Sequence, residues 1–112
     1  MQNIVVQMDT SLIKDWESFH DVFSETFGFP PFYGRNMDAW IDCMSSLDNP
    51  EDGMSRINVS LGKVVVIQID GVKDFSARCP DQYLAIIECS AFVNYRRISM
   101  NQEPVLALSF SA

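Results

Sequence analysis

Histidine occurs once in the sequence, as His20. One imidazole supplies neither a metal-binding pair nor a base–nucleophile relay, so His20 reads as a packed or half-exposed side chain beside an apolar stripe. Cysteine is also scarce. Cys43, Cys79 and Cys89 are odd in number and lack CxxC spacing. That excludes a disulfide framework and a zinc site, and predicts reduced, mostly buried thiols of a cytoplasmic protein. Positive charge is the third shortage. Eight Lys and Arg stand against fifteen Asp and Glu, for a formal net charge of −7. A phosphate backbone demands clustered cations, so nucleic acid is not an expected partner. The acidic balance serves either solubility or the encounter with a basic protein.

Long apolar runs are missing too. None approaches the roughly 20 residues that span a bilayer. The stretch 1–9 has no positive region ahead of its short apolar run, so neither a signal peptide nor membrane association is expected. No GxGxxG, P-loop, HExxH or GxSxG pattern occurs, and with them goes any motif for a cofactor or a catalytic constellation. There are no internal repeats, low-complexity tracts or linkers. The expectation is one domain spanning 1–112.

Hydrophobic residues make up 47% of the chain, enough for a packed core. Ile4, Val5, Val6 and Met8 predict a first strand, halted by Asp9-Thr10. Leu12, Trp16, Phe19, Phe23 and Phe27 recur at helical spacing, with Thr10 or Ser11 as cap and Gly28 as stop. Asp15, Glu17, Asp21 and Glu25 fall off that stripe and are expected to face water. Near-continuous β-branched residues at 64–69 predict an interior parallel strand. Val72 to Arg78 reads as a short helix opened by Asp70 or Gly71. A longer helix starts at Pro80, carries its apolar face on Tyr83, Leu84, Ile87, Ala91, Phe92 and Val93, and closes near Tyr95 with Arg96-Arg97 favouring the helix dipole. Val105 to Phe110 is a last strand. Strands separated by helices predict an α/β fold with a three-stranded parallel sheet and three to four helices.

The densest information lies at 29–44. Pro30-Pro31 stiffens a loop that carries Phe32 and Tyr33, and Gly34 lets it bend. Asn36 is placed to cap a helix whose apolar stripe is Met37, Trp40, Ile41, Met44 and Leu47. Asp38, Asp42 and Ser45 project from its other side. At helical pitch Asp38 and Asp42 lie about 40° apart and one turn from each other. They are either a dipole-complementing acid plus a solvated one, or a like-charged pair awaiting a cation. That cation is a basic protein surface or a metal, and a metal needs more oxygen ligands than one helix face provides. A small acid–base enzyme built on the pair is the competing class, though such carboxylates normally occupy a cleft. Asp48, Glu51 and Asp52, in the turn-rich segment 48–53, are turn residues or an extension of the acidic rim. The segment 58–63 reads as a loop or a short extra strand.

The run Pro30-Pro31-Phe32-Tyr33-Gly34-Arg35-Asn36-Met37-Asp38-Ala39-Trp40-Ile41-Asp42-Cys43 resembles the signature of the barstar family, inhibitors of ribonucleases such as barnase. The resemblance implies the same α/β architecture. It also implies that loop and helix plug a ribonuclease active site, with acids standing in for substrate phosphates. On that basis Asp42 is the principal phosphate mimic and Asp38 the second contact. Phe32 is the loop's aromatic contact, Gly34 and Asn36 shape the loop and cap the helix, and Tyr33, Ser45 and Leu47 complete the partner-binding set. The implied protein is a monomeric inhibitor or immunity protein rather than an enzyme, and its partner a basic ribonuclease or ribonuclease-like toxin. Departures from the family pattern are Trp40-Ile41, where an aliphatic residue precedes a tryptophan, Leu47 in place of an aromatic, and Arg35 in place of an acid. They point to a retargeted face. A family glutamate on the long helix corresponds by rough counting to Asn94, too loosely to carry a role.

Overall fold

The computed structural model describes residues 3–112, so Met1 and Gln2, part of the stretch assessed for a leader, lie outside the described residues. Three strands form one parallel sheet in the order β1 (Ile4–Met8), β2 (Val65–Ile69), β3 (Leu106–Phe110). Ile4 aligns with Val65, and Val65 with Leu106. The middle position explains the composition of β2. Val65, Ile67 and Ile69 are fully buried, while Val66 and Gln68 between them are half-covered. Four helices complete the α/β fold: α1 (Trp16–Phe27), α2 (Met37–Met44), α3 (Val72–Arg78) and α4 (Pro80–Ser99).

The first helix starts later than its apolar spacing predicts. Asp9 accepts from the Ser11 N–H at 3.1 Å and caps a single 3-10 turn, Thr10–Leu12. Ile13 then turns extended and is buried, which leaves Leu12 exposed. Asp15 faces water as expected and is also the cap of α1. Its carboxylate accepts from Ser18 N at 2.8 Å while Ser18 Oγ accepts from Asp15 N at 3.0 Å. This reciprocal pair satisfies two otherwise orphaned backbone donors. Gly28 ends α1 with φ +67°. No other residue fits there readily, because a Cβ would meet the Arg56 side chain at 2.6 Å.

The long helix buries only part of its expected face: Val93 is buried and Tyr83 and Ile87 are half-buried. The residues buried along α4 are Gln82, Ile86, Ser90, Val93 and Arg97. Leu84 and Phe92, expected in the core, are exposed, as are Tyr95, Ile98 and Met100. Of the buried polar side chains on this stripe, Arg97 is fully engaged by internal partners, an option that hydropathy alone does not register.

The segment 45–62 forms no extra strand. A second 3-10 turn, Pro50–Asp52, is followed by chain tied to the core through its backbone. Arg56 N donates to Phe27 O at 2.8 Å, and Val59 N donates to Leu47 O at 2.9 Å. Arg97 of α4 anchors the same segment. It is 4% exposed, donates to Ser45 O at 2.7 Å and Glu103 O at 2.7 Å, and forms an ion pair with Asp48. Asp48 therefore belongs to a buried pair and not to an acidic rim, whereas Glu51 and Asp52 are exposed.

Candidate functional site: an acidic helix beside an anchored loop

An aromatic row on α1 positions the loop. Phe23 meets Trp40 of α2 edge-on at 5.6 Å, Phe27 stacks on Phe29 at 5.8 Å, and Phe29 packs on Tyr33 at 4.7 Å. Such contacts add directional preference to the area they bury. Pro30 is buried, and its carbonyl accepts from Tyr33 N at 2.9 Å. The resulting tight turn throws Phe32 out to 74% exposure.

Tyr33 goes the other way. It is buried, and its hydroxyl lies 2.5 Å from His20 Nδ1. Burial raises the Tyr33 pKa well above the ordinary phenol range, with the nearby Cys43 adding to the shift and Arg35 opposing it. Burial, helped by Arg35 and opposed by Asp21, lowers that of His20. The phenol thus stays protonated and donates to a neutral imidazole. The lone histidine is a structural partner of the loop.

Arg35 supplies the second anchor. Its Nη2 donates to Glu17 O at 3.0 Å and to Asp21 Oδ1 at 2.8 Å, across from α1. The left-handed backbone of the loop falls on Arg35, with φ +55°, and not on Gly34. A non-glycine residue in that region costs energy, which the two anchors offset. Asp21, expected to be merely solvated, thereby fixes the loop.

Asn36 caps α2 as its position predicts, accepting from Ala39 N at 2.8 Å. Trp40, Ile41, Cys43 and Met44 are buried. Burial, with Asp42 adding to it, pushes the Cys43 thiol up to about 11, so it stays protonated and inert. Asp38 and Asp42 both lie on the exposed side of α2, and the Asp42 side chain is 61% exposed.

Two members of the expected partner-binding set are placed elsewhere. Leu47 is 0% exposed and belongs to the core. Tyr33 serves the interior through His20. In both cases an apolar or aromatic residue near an acidic surface filled the core, where burial gains most. Asp38, Asp42, Phe32, Gly34 and Asn36 remain exposed together, with Ser45 half-buried at the end of α2. Asn94, weighed as a loose counterpart of a contact residue, is a backbone clamp: its Nδ2 donates to Leu106 O at 2.8 Å and its Oδ1 accepts from Val105 N at 2.9 Å.

One charged residue of the face was not anticipated. Arg96 of α4 donates through Nη2 to Ser45 Oγ at 2.7 Å and reaches Asp42 Oδ1 at 3.4 Å. The only sequence signal was the Arg96-Arg97 pair, which suits a helix C-terminus without any tertiary role. No spacing rule links positions 42 and 96.

Among the described residues no helix is long and apolar enough to cross a membrane. A comparison with curated proteins returns no match. The family model described as Barstar (barnase inhibitor) matches residues 3–105, nearly the whole chain. Together with a three-stranded parallel sheet, four helices and an acidic helix behind a proline-stiffened loop, this places the chain in the barstar family.

Proposed function

We propose that the protein is an inhibitor of a basic ribonuclease or ribonuclease-like toxin, binding it one to one and covering its active site. The observation that carries this reading is the exposed carboxylate pair, Asp38 and Asp42, on a helix held beside an anchored loop. Carboxylates on a fixed backbone offer a cationic cleft the oxygen geometry that substrate phosphates offer. Phe32, rigidly presented by Pro30 and Pro31, supplies an apolar contact at the edge of the same face. Preorganisation matters because little side-chain or loop entropy is then lost on docking. Family membership supports an inhibitory role over a catalytic one.

The test is calorimetric titration against ribonucleases captured from the protein's own cells, with RNA cleavage measured in parallel. Replacing Asp42 by Ala weakens binding by about tenfold to a hundredfold, the usual worth of a charge-assisted hydrogen bond, and Asp38→Ala follows. Glu25→Ala, an exposed position on α1 outside the acidic helix, is the control and leaves binding unchanged. Equal small losses at all three positions would sink the reading. Asp21 is not a suitable control, since it holds Arg35.

The pairing of Asp42 with Arg96 favours a second reading, that of a barstar-like interaction module whose target is not a nuclease. Undiminished RNA cleavage in a saturated complex would select it.

A further inference from the structure

Arg96 stands within the face that the inhibitory reading assigns to a basic target. Its guanidinium bonds Ser45 Oγ at 2.7 Å, and Ser45 Oγ in turn donates to Ile41 O at 2.6 Å. The cation is therefore fixed to the end of α2 and is not a freely swinging surface charge. It lies 3.4 Å from Asp42 Oδ1, and its Cζ is 6.0 Å from the centre of the Phe92 ring. Arg96 is 38% exposed, so a docking partner meets it directly.

The surroundings divide into two charge zones. Asp38 and Glu88 flank Cys89, whose pKa is raised first by burial and then by these two carboxylates. Asp42 and Arg96 form the neighbouring zone, of mixed sign, with the Asp42 carboxylate still 61% exposed. Beside it, Phe92 and Tyr95 are 46% and 68% exposed on α4, with ring centres 6.4 Å apart. The exposed side of α4 is thus continuous with that of α2 at the Arg96–Asp42 contact.

We infer that Arg96 is a selectivity gate: it disfavours a uniformly basic cleft and favours a protein target that brings a carboxylate to Arg96, cations to Asp38 and Asp42, and an apolar surface to Phe92 and Tyr95. The inference rests on the inhibitory reading above and narrows its target. A cation approaching Asp42 from a uniformly basic cleft also approaches Arg96, and repulsion between them offsets the attraction that Asp42 supplies. A target carboxylate opposite Arg96 removes that repulsion and completes an alternating set of charges. Specificity by an unfavourable contact with the wrong partner is a common device.

The experiment titrates barnase, whose cleft is basic, with the wild-type protein, Arg96→Ala, Arg96→Glu, Asp42→Asn and the double variant Arg96→Ala/Asp42→Asn. Binding is measured at low and at high salt, and thermal melting verifies that each variant is folded. Arg96→Ala binds barnase about two- to fivefold more tightly than wild type at low salt, Arg96→Glu more tightly still, and the gain shrinks as salt screens it. Binding by Arg96→Ala where wild type shows none supports the gate equally. The gain disappears in the Asp42→Asn background, because Arg96 acts on the cation that Asp42 receives. A gain of the same size in that background marks a net-charge effect and overturns the gate. Wild-type binding that Arg96→Ala leaves unchanged or weakens overturns the gate while the inhibitory reading stands. Absence of binding by every variant overturns the gate and counts against the inhibitory reading for this class of cleft.

Discussion

The Tyr33 hydroxyl and His20 Nδ1 lie 2.5 Å apart beneath the loop that carries Phe32. The pair joins α1 to the candidate binding surface, and it has a protonation requirement. Charging the imidazole removes the acceptor for a phenol that has no other hydrogen-bond partner among the described residues.

Stability is predicted to fall on mild acidification. The His20 pKa is lowered from 6.5 in the folded protein by burial and by Arg35, with Asp21 opposing. The unfolded chain then takes up the proton more readily. Stability is whole above about pH 6.5 and declines as pH drops from there through the lower folded pKa. The carboxylates with lowered pKa, Asp15 and Asp70, titrate below 3.8, outside this window. Urea unfolding at pH 7.5 and pH 5 measures the decline, and His20→Gln flattens it.

The pair Arg97–Asp48 gives a larger effect. Both side chains are nearly excluded from water, at 4% and 9% exposure. Asp48→Ala strands the arginine charge and is expected to destabilise the fold by about 3–5 kcal/mol. Arg97→Met with Asp48→Leu removes both charges and costs less, the remaining loss coming from the Ser45 and Glu103 carbonyls that Arg97 no longer satisfies. Chemical denaturation of the single and double variants separates the two outcomes.

Gly28→Ala is expected to cost about 1–3 kcal/mol. The left-handed backbone, φ +67°, disfavours a Cβ, and that atom would collide with Arg56. The same substitution at Gly53, also at φ +67° but with open space around it, carries only the backbone penalty. A denaturation midpoint lower for Gly28→Ala than for Gly53→Ala is the expected order.

Asp21→Ala is predicted to weaken target binding without touching the target. It removes one of the two bonds that hold Arg35 to α1, leaving only Glu17 O, and lets the loop around Phe32 sample more conformations before docking. Titration calorimetry reports the loss, and faster amide exchange at 32–36 reports its origin. Loss of binding with unchanged exchange would mean that Asp21 acts by direct contact.

Local rules carried the sequence a long way. The Asn36 cap, the Gly28 stop, the β-branched core strand and the strand–helix alternation each follow from short-range chemistry, and the fold class follows from their order. The failures share one cause. Tyr33 went inward, and Leu84 and Phe92 outward, because the choice depended on which element each met across the core. Arg35 in a left-handed conformation, where Gly34 was the obvious candidate, is stabilised by partners on α1. Asp38 and Asp42 were legible as an exposed pair on one helix face, but Arg96 beside them was not, since a contact between positions 42 and 96 has no trace in periodicity.

The parallel sheet has a kinetic consequence. The first partner of Ile4 is Val65, beyond both α1 and α2, and the partner of Val65 is Leu106, near the end of the chain. As the chain leaves the ribosome, the loop and the acidic helix are synthesised before α4, against which α2 packs. Closing such long loops precedes any reward from pairing, so folding is slow for a chain of this size. The exposed face of α2 is therefore expected to assemble in one late step, when β3 docks, and not to accumulate as the helices form.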